Sequence, residues 1–142
     1  MAIEFNRTSY AVWEITLKCN LACIHCGSRA GDARTNELST AEALDLVAQM
    51  ADLGIKEVTL IGGEAFMRPD WLEIVAEIDR LGMWCSITTG GLGVSLDMAR
   101  KMKAAGIKSA SVSIDGLEEV HDRKKKKKGS WQAAFQTMKH FQ

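Results

Sequence analysis

The chain has 142 residues, 46% hydrophobic and 25% charged, with a formal net charge of zero. That length and balance suit one globular domain with a real core and exclude a disordered or collagen-like chain. No apolar run approaches the ~18 residues of a membrane span, and no charged-then-apolar leader opens the chain.

The first strand is expected in "AVWEITL", Ala11–Leu17, and is followed by "CNLACIHC", Cys19–Cys26. Ser39 and Glu42 then form a capping box, so a helix starts near Thr40. Leu44, Val47, Ala48 and Ala51 give it one apolar face, and Gly54 suits its left-handed end. A second strand, "EVTLIG", leads into Gly62-Gly63-Glu64. Behind Pro69, a good first-turn residue, Trp71, Ile74, Val75 and Ile78 repeat the helical pattern. The third strand is "WCSITT", and a third helix over Ser95–Ala105 turns Leu96, Met98, Met102 and Ala105 inward. A fourth strand is read in "SASVSID", Ser109–Asp115, and Ser130 is expected to cap a helix carrying Trp131, Ala134, Phe135 and Met138.

Four strand–helix alternations predict an α/β fold of βαβ units on a parallel sheet. The strands are short, β-branched and mostly apolar, which suggests cover on both faces. The working surface of such a sheet lies at the carboxyl ends of its strands. Cys19–Cys26, Gly62–Glu64, Thr88–Gly91 and Asp115-Gly116 all fall there.

Four cysteines without a leader point to a reducing compartment, the cytoplasm, where clustered cysteines bind metal or do redox work. Cys19, Cys23 and Cys26 are too few for the simplest zinc sites, which take four ligands in paired spacings. His25 adjoins Cys26, and neighbours rarely reach one tetrahedral ion together. Cys85 lies inside a strand, where a free cysteine acts as a small core residue. Three thiolates on a [4Fe–4S] cluster leave one iron open for a ligand.

With CxxxCxxC after the first strand and Gly-Gly-Glu after the second, the chain resembles the radical S-adenosylmethionine enzymes from Val12 to about Phe141. The resemblance implies the first four βα units of a (β/α)6 partial barrel, so residues 1–142 are read as a truncated core domain. It implies a [4Fe–4S] cluster on Cys19, Cys23 and Cys26 whose open iron chelates S-adenosylmethionine. Reductive cleavage then yields a 5′-deoxyadenosyl radical that abstracts hydrogen from substrate. In this frame Gly62 and Gly63 let backbone approach a ligand, Glu64 accepts from the cofactor's ammonium, and His25 walls the adenine pocket. Thr88, with Thr89, falls where relatives read Thr-Asn-Gly, with Gly90 replacing Asn. Ser113 and Asp115 share a strand face, and Ser113 contacts the cofactor in the family.

Relatives carry His-Asp-x-x-Arg where this chain reads "HDRKKKKKG", which puts Lys125 at the carboxylate-binding arginine. Arg123–Gly129 is read as a solvated lysine-rich loop. It holds most of a +7 excess over residues 123–142, against −7 over residues 1–122 (11 Lys+Arg, 18 Asp+Glu). The resemblance is nearest to the peptide- or protein-modifying, SPASM-type branch. It implies a flavodoxin- or ferredoxin-like electron donor and a peptide or protein substrate; the lack of a long apolar run argues against a membrane, and the lysine run lacks the interleaved aromatics of a nucleic-acid patch. The rival is a non-catalytic iron–sulfur or zinc-binding module, or an inactive fragment.

Overall fold

Strands β1 (Tyr10–Glu14), β2 (Glu57–Ile61), β3 (Trp84–Thr89) and β4 (Ile107–Val112) pair in parallel and in chain order. The computed structural model describes residues 9–142; the residues before them, read above for a leader, lie outside that range. Helices α1 (Thr40–Asp52), α2 (Trp71–Arg80) and α3 (Leu96–Ala105) follow β1, β2 and β3. Helices α4 (Glu118–Lys125) and α5 (Ser130–His140) follow β4.

Local signals explain most boundaries. Ser39 and Glu42 form the capping box at the start of α1. Ser95 accepts the Met98 N–H at the start of α3, and Gly106 ends that helix in the left-handed region. The apolar faces of α1, α2 and α3 meet one side of the sheet. Val47, Val58, Leu60, Ile74, Ile78 and Ile87 are fully buried there. Each contributes about 1.5–3 kcal/mol of burial, and truncating Ile74 to Ala would cost about 2–5 kcal/mol.

Cover on both faces is not what the sheet has. One row across it, set by register, reads Val12, Thr59, Ser86, Ser109, and another reads Thr88, Ser111. This second face is rich in hydroxyls, and Thr59 and Ser86 share a 2.8 Å hydrogen bond on it. The core helices gather the apolar alternates; on the other side Val12, Ser109 and Ser111 are exposed, while Ser86 is buried beside Thr59. Lys108 is the extra residue of an irregularity between Cys85 and Ser86, and its ammonium pairs with Asp79 on α2 at 2.6 Å.

Other expectations shift. β1 ends at Glu14 and β4 at Val112, earlier than read, though Ser113 N–H still donates to Thr89 O at 2.9 Å. Arg123–Lys125 belong to α4 rather than to a loop; acidic Glu118 and Glu119 open this helix and the cations close it, matching its dipole. Ser130 is the first residue of α5 and Gly129 its N-cap. The capping acceptor comes from Asp122, which receives the Gly129 and Trp131 N–H groups at 2.6 and 2.9 Å.

Candidate metal and cofactor site

The cysteine loop is pinned at its base before any cysteine is reached. Leu17 O accepts the Gly31 N–H, and Gly31 O accepts the Cys19 N–H, both at 2.9 Å, so the loop closes on its own start. Glu37 receives the Thr16 hydroxyl and the Leu17 and Arg34 N–H groups within 3.0 Å. Burial pushes its acid up, but these donors and the Arg68 charge outweigh it and hold it ionised below the usual range. Buried Arg68 donates to Ile15 O and Leu38 O and pairs with Asp70, tying the loop's far end to α2.

The loop delivers its three thiols to one cavity of about 260 Å³. Leu21 N–H donates to Cys19 Sγ at 3.4 Å, and Ala30 N–H to Cys26 Sγ at 3.3 Å. Burial raises the Cys19 and Cys23 thiols; the Lys125 charge works against this at Cys23. Cys85 is fully buried in β3 and pushed up to about 12 by burial, an inert core thiol as expected.

The same cavity is lined by His25, Gly62, Gly63, Glu64, Thr88, Ser113 and Lys125. Asp115 is the one predicted site residue that does not line it. The two glycines, besides lining the cavity, also pack against the chain itself. A Cβ at Gly62 would strike Thr16 O, and one at Gly63 would strike Lys18 O and Leu17 O. They thus permit a close approach to the chain's own backbone where the cysteine loop begins, which brings Gly63 N–H within 2.9 Å of Thr16 O.

Glu64 is 1% exposed. Its Oε2 accepts the Thr89 hydroxyl at 2.5 Å and its Oε1 the Gly90 N–H at 2.7 Å. Burial raises its acid while both donors and the Lys125 charge pull the other way. Thr89, rather than Thr88, thus positions the buried carboxylate, and it also accepts the Gly91 N–H at 2.9 Å. A Cβ at Gly90 would lie 2.5 Å from Leu21 Cδ1 and 2.9 Å from Glu64 Oε1, so these side chains would have to shift to admit one.

Lys125 is buried at 5% exposure, not solvated. Its ammonium stands 3.2 Å from Asp115 Oδ2, a charge contact without hydrogen-bond alignment, since that oxygen has no hydrogen-bond partner. The ammonium therefore keeps donors free for an incoming anion. His25 Nε2 lies 3.2 Å from Asp115 Oδ1, and Asp115 N–H donates to His121 Nδ1. Burial raises the Asp115 acid, but Lys125 outweighs it and the net shift is downward. Asp115 thus holds two cavity residues in place.

These residues suit a cluster held by three thiolates. Among the described residues no three His, Cys, Asp or Glu side chains converge closely enough to hold one metal ion. The thiols instead share a cavity, with backbone N–H groups aimed at two sulfurs as thiolate ligands require. An acceptor for an ammonium and a donor for a carboxylate line the same space. Among the described residues no helix is long and apolar enough to cross a membrane.

The family model described as Radical SAM superfamily matches residues 13–142. The chain is 37% identical to Fe-coproporphyrin III synthase of Methanosarcina barkeri over 96% of its own length and 35% of that protein. It is 31% identical to the mycofactocin maturase MftC of Mycolicibacterium smegmatis over 90% of this chain and 33% of that one. Streptococcus suis SuiB bound to S-adenosylmethionine shares the fold with a TM-score of 0.78 at 18% identity, covering 94% of this chain and 31% of that one. The chain spans about a third of the length of the curated relatives it matches.

Proposed function

Because the chain belongs to the radical SAM superfamily, we propose that it forms the part of such an enzyme that holds the cluster and S-adenosylmethionine. The observation that carries this reading is the meeting of three thiols, one buried carboxylate and one buried ammonium on a single cavity at the strands' carboxyl ends.

The chemistry supplied by a bound [4Fe–4S] cluster is one-electron cleavage of the cofactor's sulfonium, giving methionine and a 5′-deoxyadenosyl radical that takes hydrogen from substrate. Cys19, Cys23 and Cys26 hold the cluster as thiolates, their charge eased by the N–H groups of Leu21 and Ala30. Glu64, fixed by Thr89 and Gly90, receives the cofactor ammonium. Lys125, kept in place by Asp115, meets the cofactor carboxylate as a point charge where relatives use a planar arginine fork. His25, Thr88 and Ser113 wall the adenosine end.

The substrate proposed is a peptide or protein, in line with the SPASM-type branch. SuiB is seen bound to its precursor peptide SuiA, and the mycofactocin maturase is among the relatives. A tetrapyrrole is the second reading, favoured by the 37% identity to Fe-coproporphyrin III synthase. The electron comes from a flavodoxin- or ferredoxin-like carrier.

Anaerobic reconstitution with iron and sulfide tests this directly. The chain should bind about four irons on three thiolates and, with reductant and S-adenosylmethionine, release 5′-deoxyadenosine. Replacing Cys19, Cys23 or Cys26 by Ala should each abolish the cluster, while Cys85→Ala should keep its spectrum. Loss of the cluster in the Cys85 variant would overturn the three-ligand assignment.

A further inference from the structure

We propose that the lysine turn between α4 and α5, together with Ile24, is the docking surface for an acidic one-electron carrier protein. The inference rests on the cluster assignment above and adds to it the place where the electron enters.

The turn has more charge than the fold uses. Lys125 points inward to Asp115, whereas Arg123, Lys126, Lys127 and Lys128 are exposed. Among the described residues none of these four, nor Lys124, forms an ion pair. Residues 123–142 carry seven Lys+Arg and no acid, whereas residues 1–122 carry 11 Lys+Arg against 18 Asp+Glu. The positive excess is therefore gathered into one pole, this turn and the helix that follows it. Such a pole draws a negatively charged protein to one face and orients the encounter, while the acidic remainder repels it elsewhere.

The positive pole is also attached to the cysteines. Ile24 N–H donates to Lys124 O at 2.9 Å, and Ala22 N–H donates to Lys125 O at 3.4 Å. Ala22 and Ile24 flank Cys23, so a protein seated on the turn lies against the loop that holds the thiols. Ile24 is 60% exposed and adjoins this basic rim. An apolar anchor beside charges is the anatomy of a small, transient docking site. One electron leaves the carrier and enters the cluster; no bond or proton moves, and the carrier ends oxidised by one electron. A nucleic-acid strand fits less well, because its regular charge would run past the turn onto the acidic remainder.

The test uses the whole chain and reduced flavodoxin as the acidic carrier. Lys126→Glu, Lys127→Glu and Lys128→Glu are combined, and circular dichroism checks the fold. Two readouts are taken: carbodiimide cross-linking of flavodoxin to the cluster-free chain, and the stopped-flow rate of reduction of the reconstituted chain, each at low and high salt. Cross-linking should be lost in the variant. Its reduction by flavodoxin should slow by about tenfold or more at low salt, while reduction by dithionite is unchanged. The neutral Gln counterpart should fall between. Cross-linking and flavodoxin reduction at wild-type level in the Glu variant would overturn the proposal. So would the wild-type chain failing to cross-link flavodoxin while binding an RNA of roughly 20 nucleotides with steep salt dependence. If dithionite reduces neither protein, the cluster assignment has failed, and the cross-linking arm still decides the docking surface on its own.

Discussion

Glu64 combines deep burial with two donors, and the combination has a pH signature. Burial lifts its native acid above the unfolded value, so between those two values the native state binds more protons than the unfolded one. Stability therefore falls as pH rises through that window. Glu64→Gln should accordingly gain on the wild type as pH is raised from about 4 to about 8, measured by urea melts across the range. A pH-independent difference would sink the idea. Glu37 and Asp70 act in the opposite sense: burial raises them, their donors and Arg68 outweigh it, and the stability they add is lost as pH falls. Thr89→Val should cost about 1–3 kcal/mol by leaving a buried carboxylate oxygen short of a donor. It should also weaken S-adenosylmethionine binding in calorimetry, and Thr89→Ser should restore both. That the cysteines and Glu64 would meet on one cavity was legible in the sequence because their spacing after strands is itself a signal. Thr89 was not, because its bond to Glu64 spans 25 positions and no local pattern records it.

The corner between α4 and α5 shows what element-level reading misses and why. Helix α4 carries Val120 as its one large apolar residue, so no hydrophobic periodicity marks it. Its existence depends on acids at one end, cations at the other, and His121 buried beneath. Asp122 then caps the following helix by taking the Gly129 and Trp131 N–H groups and the Ser130 hydroxyl. The Trp131 and Gly129 donors in particular hold its acid low, so the cap is present above the usual carboxylate range and is lost as pH falls. Asp122→Ala should lower the melting temperature and speed amide exchange in α5 but not in α1, whereas uniform exchange would argue against a local cap. Lys126 ends α4 in the left-handed region, with φ of 50°, where a branched Cα is strained. Lys126→Gly should raise stability by up to about 1 kcal/mol, the strain relieved minus glycine's entropy cost. A drop in the urea midpoint would refute that assignment of strain.

Across the whole molecule, the alternation of strands and helices made the parallel sheet legible, because each period changes where the element changes. Which side of the sheet was covered was less legible: Ser86, Ser109 and Ser111 are compatible with either a packed or an open face until register aligns them with Thr59 and Thr88. The exposure of Ser109 and Ser111 predicts that Ser109→Val with Ser111→Val changes the unfolding free energy by no more than about 0.5 kcal/mol. Leu60→Ala on the other side should cost about 2–5 kcal/mol in the same urea melts. Comparable effects from both would show that the hydroxyl face is packed. The two walls of this sheet share one backbone but no side chains, and that separation has an evolutionary reading. Substitutions can accumulate along the wet wall at nearly constant melting temperature, so a lineage can sample new wall chemistries while the dry wall keeps the scaffold, and the thiols mounted on it, in register.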